Sequence, residues 1–288
     1  MAMFDSSFNP ELVEALSGGN TRAEAWEQSG QPAAADSEPI IAFSHVNISF
    51  DDRPILEDVS FSVNRGQTLC ILGRSGVGKS VTLRLLMGFL KPDSGSIRVE
   101  GEEVTDLSEE GLRAVRKRVT MVFQNGALFD SLSVRENVAF PLRERGELSE
   151  EEIQEIVDRL IGMVGAEDAA DTLPASLSTG RKRAVAIARA LAAKPEVVLY
   201  DEPTTMVDPL IARRLGDLIQ RLKQQLGFTS IVVTHDVRIA ERLADLVLFL
   251  NHGRAEYFGP LPGFLAAENP HIRQFLALDA YHLPSAQP

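Results

Sequence analysis

Apolar residues recur along the chain with two periods, which predict strands and helices in alternation. Alternating or continuous apolar runs predict strands over 40–50, 59–63 and 68–72, because the side chains of a strand point in turn to its two faces. A helical period follows from about Lys79 to Leu90. The first part of the folded region is therefore predicted to be rich in β-structure and to lead into a helix.

The rest of the chain continues this alternation, with a long helical stretch in its middle. The remaining predicted elements are strands at 96–99, 119–123, 196–200, 229–234 and 245–250, and helices within 133–177 and over 209–226. Ser149 with Glu152 predicts a capping box, and Asp208 with Pro209 predicts a helix start. The whole pattern predicts an α/β fold, with a mostly parallel sheet and flanking helices, a β-rich N-terminal subdomain and a helical insertion subdomain at about 125–195.

The two ends of the chain differ from this core. Residues 1–39 are rich in Ala, Ser, Glu, Gly and Pro, which predicts a mostly disordered extension with a short helix at 10–16. A partner-binding segment around Trp26 is the alternative there. Residues 259–288 predict a helical extension, from apolar residues at helical spacing: Phe264, Leu265, Ile272, Phe275, Leu276 and Leu278. Such a stripe most often packs on its own domain, and the alternative is that part of it reaches a partner.

Composition and charge exclude some classes of partner. The chain has 288 residues and a net charge of −12, with 44% hydrophobic and 24% charged residues. These proportions are typical of a globular protein of one or two domains, and the acidic balance argues against nucleic acid and anionic lipid as main partners. Cys70 is the single cysteine, which excludes an intramolecular disulfide. Without a run of ~20 apolar residues or a cationic leader, we expect an intracellular soluble protein that reaches a membrane only through a partner and inserts nothing into it.

A glycine-rich turn between the strand at 68–72 and the following helix is typical of a phosphate-binding loop, the P-loop. Its glycines let successive backbone N–H groups point at one phosphate chain, and the helix start adds a positive dipole end. Lys79 supplies a charge for the outer phosphates, and Ser80 a hydroxyl for Mg²⁺. The predicted nucleotide-binding residues are Gly73, Arg74, Ser75, Gly76, Val77, Gly78, Lys79, Ser80 and Val81. The sequence therefore predicts a P-loop NTPase core.

Two adjacent carboxylates, Asp201 and Glu202, end an apolar strand. In a parallel sheet that end of the strand faces the ligand crevice. Asp201 is placed to hold Mg²⁺ through water, and Glu202 to orient and deprotonate a water that attacks the γ-phosphate of ATP. The alternative is an acidic strand end on a solvated loop. Together with the P-loop, the two carboxylates predict hydrolysis of ATP with Mg²⁺.

Three further motifs lie around these elements in an order that resembles the ATP-binding cassette (ABC) family. They are Val122-Phe123-Gln124, Leu177-Ser178-Thr179-Gly180-Arg181 and Thr234-His235-Asp236, and the resemblance covers roughly residues 40–258. It implies that Gln124 contacts Mg²⁺ and the attacking water, and that His235 contacts the γ-phosphate. It also implies that Phe50 stacks on adenine, for which the alternative is an ordinary strand aromatic. Asp208 matches a loop that crosses between two cassettes, although helix capping alone would explain it.

The motif that begins at Leu177, the signature, acts on a second cassette in the family that the chain resembles. Two cassettes enclose two ATP molecules there, so Ser178, Thr179 and Gly180 would face the partner's nucleotide, which implies a homodimer. Two residues depart from the usual pattern, because Thr179 replaces the first glycine of a pair and Ala184 stands where arginine is common. The basic residues 181–183 either compensate for this or form a solvated first turn of a helix.

The flanks of Gln124 suggest a subfamily. Segments 123–134 and 136–144 and the tail 269–276 resemble the Mla/Mce-type cassettes, which energise lipid movement between the membranes of the bacterial envelope. This resemblance implies an ATPase subunit on the cytoplasmic face of the inner membrane that drives a separate integral membrane permease and moves phospholipid, and it allows a small regulatory subunit. The alternatives are a cassette for another small-molecule cargo and a non-transport ABC ATPase that regulates a cell-division or envelope-remodelling complex.

Overall fold

The computed structural model describes residues 38–280, with side chains up to 278. The strands are β1 (Ile41–Phe50), β2 (Arg53–Val63), β3 (Thr68–Leu72), β4 (Ser94–Val99), β5 (Glu102–Glu103), β6 (Val119–Val122), β7 (Val197–Asp201), β8 (Thr229–Thr234), β9 (Leu246–Asn251) and β10 (Arg254–Pro260). The helices are α1 (Lys79–Leu86), α2 (Glu109–Arg118), α3 (Val134–Arg145), α4 (Glu150–Val164), α5 (Thr179–Ala192), α6 (Pro209–Leu226), α7 (Val237–Leu243), α8 (Leu261–Leu265) and α9 (Pro270–Ala280). The predicted extension at 1–39, with its helix at 10–16 and Trp26, lies outside the described residues apart from 38 and 39.

The central sheet has six strands in the order β10-β9-β3-β8-β7-β6. The five strands from β9 to β6 are parallel, and β10 pairs with β9 in the antiparallel sense. Leu69 and Ile71 of β3 pack towards the second sheet with α1 and α2, whereas Cys70 and Leu72 pack towards the other helices. Because both faces are covered, these strands are apolar throughout. The predicted α/β fold with a mostly parallel sheet is confirmed.

The second sheet is antiparallel, in the order β2-β1-β4-β5, and it differs in detail from the prediction. β2 begins at Arg53 rather than at residue 59, because Asp51 and Asp52 adopt left-handed φ angles of 49° and 59° and close a tight hairpin that pairs Phe50 with Arg53. Helix α1 ends at Leu86 rather than at Leu90, since Gly88 takes a φ of 65° just beyond its end. Helix α2 and strand β10 were not predicted.

Helices α3, α4 and α5 pack on one another within the range 125–195 and form part of one apolar core. The capping box predicted at the start of α4 is present, with Ser149 and Glu152 each bonded to the other's backbone. At the C-terminal end, Phe264, Ile272 and Phe275 are buried in the same core. This part of the C-terminal stripe therefore packs on its own chain. In the described range, no helix combines the length and apolar character needed to cross a membrane.

Candidate nucleotide site

The P-loop connects β3 to α1 at the carboxyl edge of the central sheet, where glycine is required at two positions. Gly73 has a φ of 151°, and a Cβ there would lie 2.4 Å from the carbonyl oxygen of Leu250. Gly78 has a φ of 102°, and its Cβ would lie 2.6 Å from Leu56. Both the backbone conformation and the neighbouring strands therefore exclude a side chain. The loop is thus held closely against the neighbouring strands.

Lys79 is buried, and its ammonium group is held inside the loop. Its Nζ donates to the carbonyl oxygens of Gly73 at 2.8 Å and Arg74 at 3.0 Å, and it lies 3.5 Å from Oε1 of Glu202. Burial lowers the pKa of Lys79, while the charges of Glu202 and Asp201 oppose this effect. A charge at this depth with only partial compensation fits an added anion such as a phosphate group.

Ser80 and Asp201 form a pair of oxygen donors next to this lysine. The Ser80 hydroxyl donates to Oδ1 of Asp201 at 2.8 Å, and burial raises the pKa of Asp201 although that hydrogen bond opposes the rise. Two hard oxygen donors fit Mg²⁺, which takes few protein ligands and completes its shell with substrate phosphates and water. The described part of the chain has no cluster of three or more acidic, histidine or cysteine side chains that could hold a metal ion.

Glu202 follows β7 with an unfavourable left-handed φ of 49°, and its carboxylate faces Lys79. The carboxylate accepts from the Thr205 hydroxyl at 2.9 Å and lies 2.9 Å from Nδ1 of His235. Burial alone would raise the pKa of Glu202, but the contact with His235 and the charge of Lys79 outweigh it and lower this pKa. The same contact raises the pKa of His235, against a smaller effect of its partial burial. An ionised carboxylate is thus fixed beside the buried ammonium group of Lys79.

One cavity of about 620 Å³ joins these groups. Its volume is within the range of small-molecule sites. The predicted site residues that line it are Arg74, Ser75, Gly76, Gly78, Lys79, Ser80, Val81, Gln124, Glu202 and His235. Ile55, Thr205, Phe275 and Leu278 also line it, and sequence reasoning missed them as site residues. Asp201 does not line the cavity itself but accepts a hydrogen bond from Ser80, which does. Gly73 and Val77 belong to the P-loop but do not line the cavity.

Phe50 does not line this cavity. It is exposed at the end of β1, at the hairpin that leads into β2. Ile55, a few residues further along the hairpin, lines the cavity instead. The stacking of Phe50 on adenine therefore stays a prediction.

The signature lies at the start of α5, outside the cavity. Ser178 caps the helix by accepting from the Arg181 backbone N–H, and Ser178 and Thr179 are exposed. A Cβ on Gly180 would lie 2.7 Å from Ile211 of α6, so the close packing of these two helices already requires glycine there. Asp208 caps α6 as predicted, and its place in a loop that crosses to a second cassette stays a prediction.

The basic residues 181–183 do not behave as a single group. Arg181 forms an ion pair with Asp168, at 3.0 Å. Arg183 is buried and bonds to backbone carbonyls of the loop that follows β7. Of the two alternatives for these residues, the solvated first turn is therefore wrong for Arg183, and its helical position alone gave no sign of this burial.

Comparison with known proteins identifies the class of this site. Residues 56–205 match the family model described as ABC transporter. Methionine import ATP-binding protein MetN of Brucella abortus (strain 2308) is 39% identical over 252 residues, which are 87% of this chain and 68% of that protein. The chloroplastic protein trigalactosyldiacylglycerol 3 of Arabidopsis thaliana is 38% identical over 257 residues, 83% of this chain and 74% of that protein.

Solved structures agree with these relatives. The post-hydrolysis dimer of the ATP-binding cassette MJ0796 with ADP and Pi has a TM-score of 0.70 and 30% identity, and the match covers 77% of this chain and 98% of that one. The structure of cbiO1 from Clostridium perfringens, described as part of the transporter complex cbiONQ, has a TM-score of 0.75 and 31% identity, covering 86% of this chain and 97% of that one.

Proposed function

Because this chain belongs to the ABC transporter family, we propose that its nucleotide site drives a separate permease in a bacterial inner membrane. The chain binds ATP with Mg²⁺ and hydrolyses it, as its relatives and structural neighbours indicate. One observation carries the assignment of roles within the site: Glu202 is held by Thr205 and His235 in the same cavity as Lys79 and the P-loop.

From this geometry we assign a task to each residue. Lys79 would give up its contacts with the loop carbonyls or with Glu202 and bind the outer phosphates instead. Its positive charge would then lie next to these phosphates. Ser80 and Asp201 are the side chains that would hold Mg²⁺, which shields the phosphate charge when bound. Glu202 is ionised, since its pKa is lowered, and so it can accept a proton from the attacking water. His235 holds that carboxylate in place, and Gln124 lines the cavity nearby.

The experiment that tests these roles replaces Glu202 by Gln in the full chain. We expect turnover to fall at least ~100-fold, because general-base catalysis typically contributes 10²–10⁴. Binding of ATP should be retained, and an ATP-bound dimer should accumulate, visible by size exclusion. Glu241, an exposed residue of α7, provides the matched control, since Glu241→Gln should leave the rate unchanged. Hydrolysis by Glu202→Gln at the rate of the unchanged protein would refute the mechanism.

The same chain offers surfaces for both expected partners. Ser178 and Thr179 are exposed at a helix start, where their donors can reach the nucleotide of a second copy. The side chains of Phe129 and Phe140 are exposed and in contact, with ring centroids 4.7 Å apart, and Phe129 follows Gln124 closely in the sequence. We assign the first surface to a homodimer and the second to the permease, because exposed aromatic pairs are typical of protein interfaces.

For the cargo, we propose a lipid, with the chain bound to the cytoplasmic face of the membrane through its permease. The flanks of Gln124 and the tail 269–276 support this, as does a relative named for trigalactosyldiacylglycerol, a diacylglycerol lipid. Methionine is the competing cargo, because several relatives are named methionine import proteins, although this chain spans only 68% of the Brucella protein and 62% of that of Rhizobium johnstonii (strain DSM 114642 / LMG 32736 / 3841).

Co-purification decides between the two cargoes. The chain should be isolated with its permease from membranes, and the bound molecules extracted and identified by mass spectrometry. Enriched phospholipid, relative to the same preparation carrying Lys79→Ala, supports the lipid assignment. Bound methionine, or stimulation of the ATPase rate by methionine rather than by phospholipid vesicles, would replace it.

A further inference from the structure

Arg183, in the second turn of the signature helix α5, is buried against the loop that begins at Glu202. Only 7% of its surface is exposed. Its Nη1 donates to the carbonyl oxygens of Glu202 at 3.1 Å and Pro203 at 2.7 Å, and its Nη2 donates to that of Thr205 at 2.7 Å. The planar fork of a guanidinium group matches such a set of acceptors, which a lysine could not satisfy together.

Stability of the fold alone does not account for this arrangement of Arg183. Within the described chain no carboxylate forms an ion pair with Arg183, and its Nε is buried with no hydrogen-bond partner. A buried charge that is balanced only by carbonyl dipoles contributes little to folding. Glu202, at the start of the loop that Arg183 holds, has a left-handed backbone that is unfavourable for a side-chain-bearing residue. The three bonds of Arg183 hold this strained segment in place.

A second arginine of the same helix has a parallel contact. Arg189 donates to the carbonyl oxygens of Gly126 at 3.2 Å and Ala127 at 2.9 Å, in the loop that follows Gln124. Helix α5 therefore starts at the signature and binds the backbone of two of the loops next to the cavity, the one that follows Gln124 and the one that begins at Glu202.

We propose that Arg183 is a positioning residue for hydrolysis: it fixes the loop 202–205 to the signature helix, so that the Glu202 carboxylate and the signature move as one unit. The inference rests on the proposed role of Glu202. This role explains why the side chain of Arg183 is buried, although its position in α5 suggested a solvated side chain.

Steady-state ATPase kinetics of the full chain test this proposal with Arg183→Met and Arg183→Lys. We expect the Met variant to lose ~10- to ~100-fold in kcat, because a misplaced catalytic group has effects of this size. The KM for ATP should change less than ~3-fold, since the P-loop contacts are untouched. The Lys variant should lie between the Met variant and the unchanged protein. Arg145 is the matched control, because it lies half-buried at the end of α3 and donates to a single carbonyl, that of Lys117 in α2. Arg145→Met should keep the normal kcat.

The outcomes are distinguishable from those for Glu202. If Glu202→Gln abolishes turnover and Arg183→Met leaves kcat unchanged, the positioning role is wrong and the proposed mechanism stands. If Arg183→Met instead raises KM and lowers kcat to the same extent, Arg183 serves nucleotide binding or folding, and the proposal is again overturned. Should the Met variant fail to fold, the Lys variant decides, because a reduced kcat at unchanged KM supports the proposal and normal kinetics refute it.

Discussion

The P-loop region and the signature region would both contact a nucleotide, but only the first is complete within one chain. Around the P-loop, Lys79 contacts loop carbonyls and Glu202, and Glu202 contacts His235 and Thr205. Around the signature, Ser178 and Thr179 are exposed at a helix start outside the cavity. In the proposed mechanism, one chain therefore supplies a complete phosphate site and also presents the start of a helix suited to another chain's phosphate.

The difference also shows in what the glycines do. Gly73 and Gly78 of the P-loop have left-handed backbones and are pressed against neighbouring strands. Gly180 of the signature is helical, and the contact that excludes a side chain there is with Ile211 of α6. Changes at the P-loop should therefore damage nucleotide binding directly, whereas changes at the exposed Ser178 and Thr179 of the signature should act only when two chains are together.

Replacing Lys79 by Ala should have the largest effect on binding in this comparison. The side chain of Lys79 is buried, and among the described residues Lys79 is the only lysine that lines the cavity. Its loss removes a charge-assisted hydrogen bond to phosphate of ~1.5–3 kcal/mol. We expect the affinity for Mg-ATP, measured by titration calorimetry, to fall ~10- to ~100-fold. Lys91, exposed and paired with Asp106 at 3.0 Å, is the control, and Lys91→Ala should bind normally. An unchanged affinity in Lys79→Ala would mean that the loop does not hold the outer phosphates.

Mixed dimers test whether the P-loop region of one chain acts together with the signature region of the other chain. One preparation pairs an unchanged chain with a chain that carries both Lys79→Ala and Ser178→Ala, so both composite sites are damaged. The other carries one substitution on each chain, which damages one site twice and leaves the other intact. We expect higher ATPase activity in the second preparation. Equal rates in the two, with each single substitution shown to be harmful on its own, would contradict the assignment of Ser178 to the partner's nucleotide.

The sequence predicted the elements that surround the P-loop well, because the signals for their bounds are local. Helix α6 and strand β8 have their predicted bounds, 209–226 and 229–234. Asp208 and Pro209 mark the start of the helix, and Gly227, with a φ of 70°, ends it. The end of β7 delivers Asp201 to Ser80 and Glu202 to His235, as expected for residues at the carboxyl edge of a parallel sheet.

The contacts between distant elements could not be predicted in this way. Phe275 and Leu278 reach the cavity from the last described helix, and Ile55 reaches it from the hairpin of the other sheet. Arg183 looked like one cation among three on a helix surface, because its acceptors are backbone carbonyls, which have no sequence signal. The burial of Arg183 depends on how α5 packs against the loop after β7. The pattern of residues along one segment gives no information about this packing.

The pair of His235 and Glu202 predicts a modest pH dependence of stability. The pKa of Glu202 is lowered, so its contribution is present above its unfolded value, ~4.3, and is lost as the pH falls through its folded value. The pKa of His235 is raised, so its contribution is full below ~6.5 and is lost as the pH rises through its folded value. The side chain of His235 is 56% exposed, which limits the effect to about 1 kcal/mol or less.

Thermal unfolding of His235→Gln should therefore differ most from the unchanged protein near pH 6, by at most ~4 °C, and less at pH 9. His45 forms an ion pair with Asp58 in which both side chains are mostly exposed, and His45→Gln is the control with a smaller difference. A difference in Tm that stays constant from pH 6 to pH 9 would show that the charge of His235 does not stabilise the P-loop region.

The smallest effect is expected at Thr179, where the signature departs from the usual glycine. Thr179 is the exposed first residue of α5 and does not have a left-handed backbone, so the fold does not need glycine there. A hydroxyl at a helix start can also donate to a phosphate of the partner, which would replace the closer approach that glycine allows. Thr179→Gly should then change the ATPase rate of the assembled complex less than ~10-fold, equivalent to about 1.4 kcal/mol of barrier.

Gly180→Ala provides the contrast, since its Cβ would collide with Ile211 and should disturb the packing of α5 on α6. A much larger rise in rate for Thr179→Gly would show that threonine weakens the natural signature, and that this ATPase is built to run slowly.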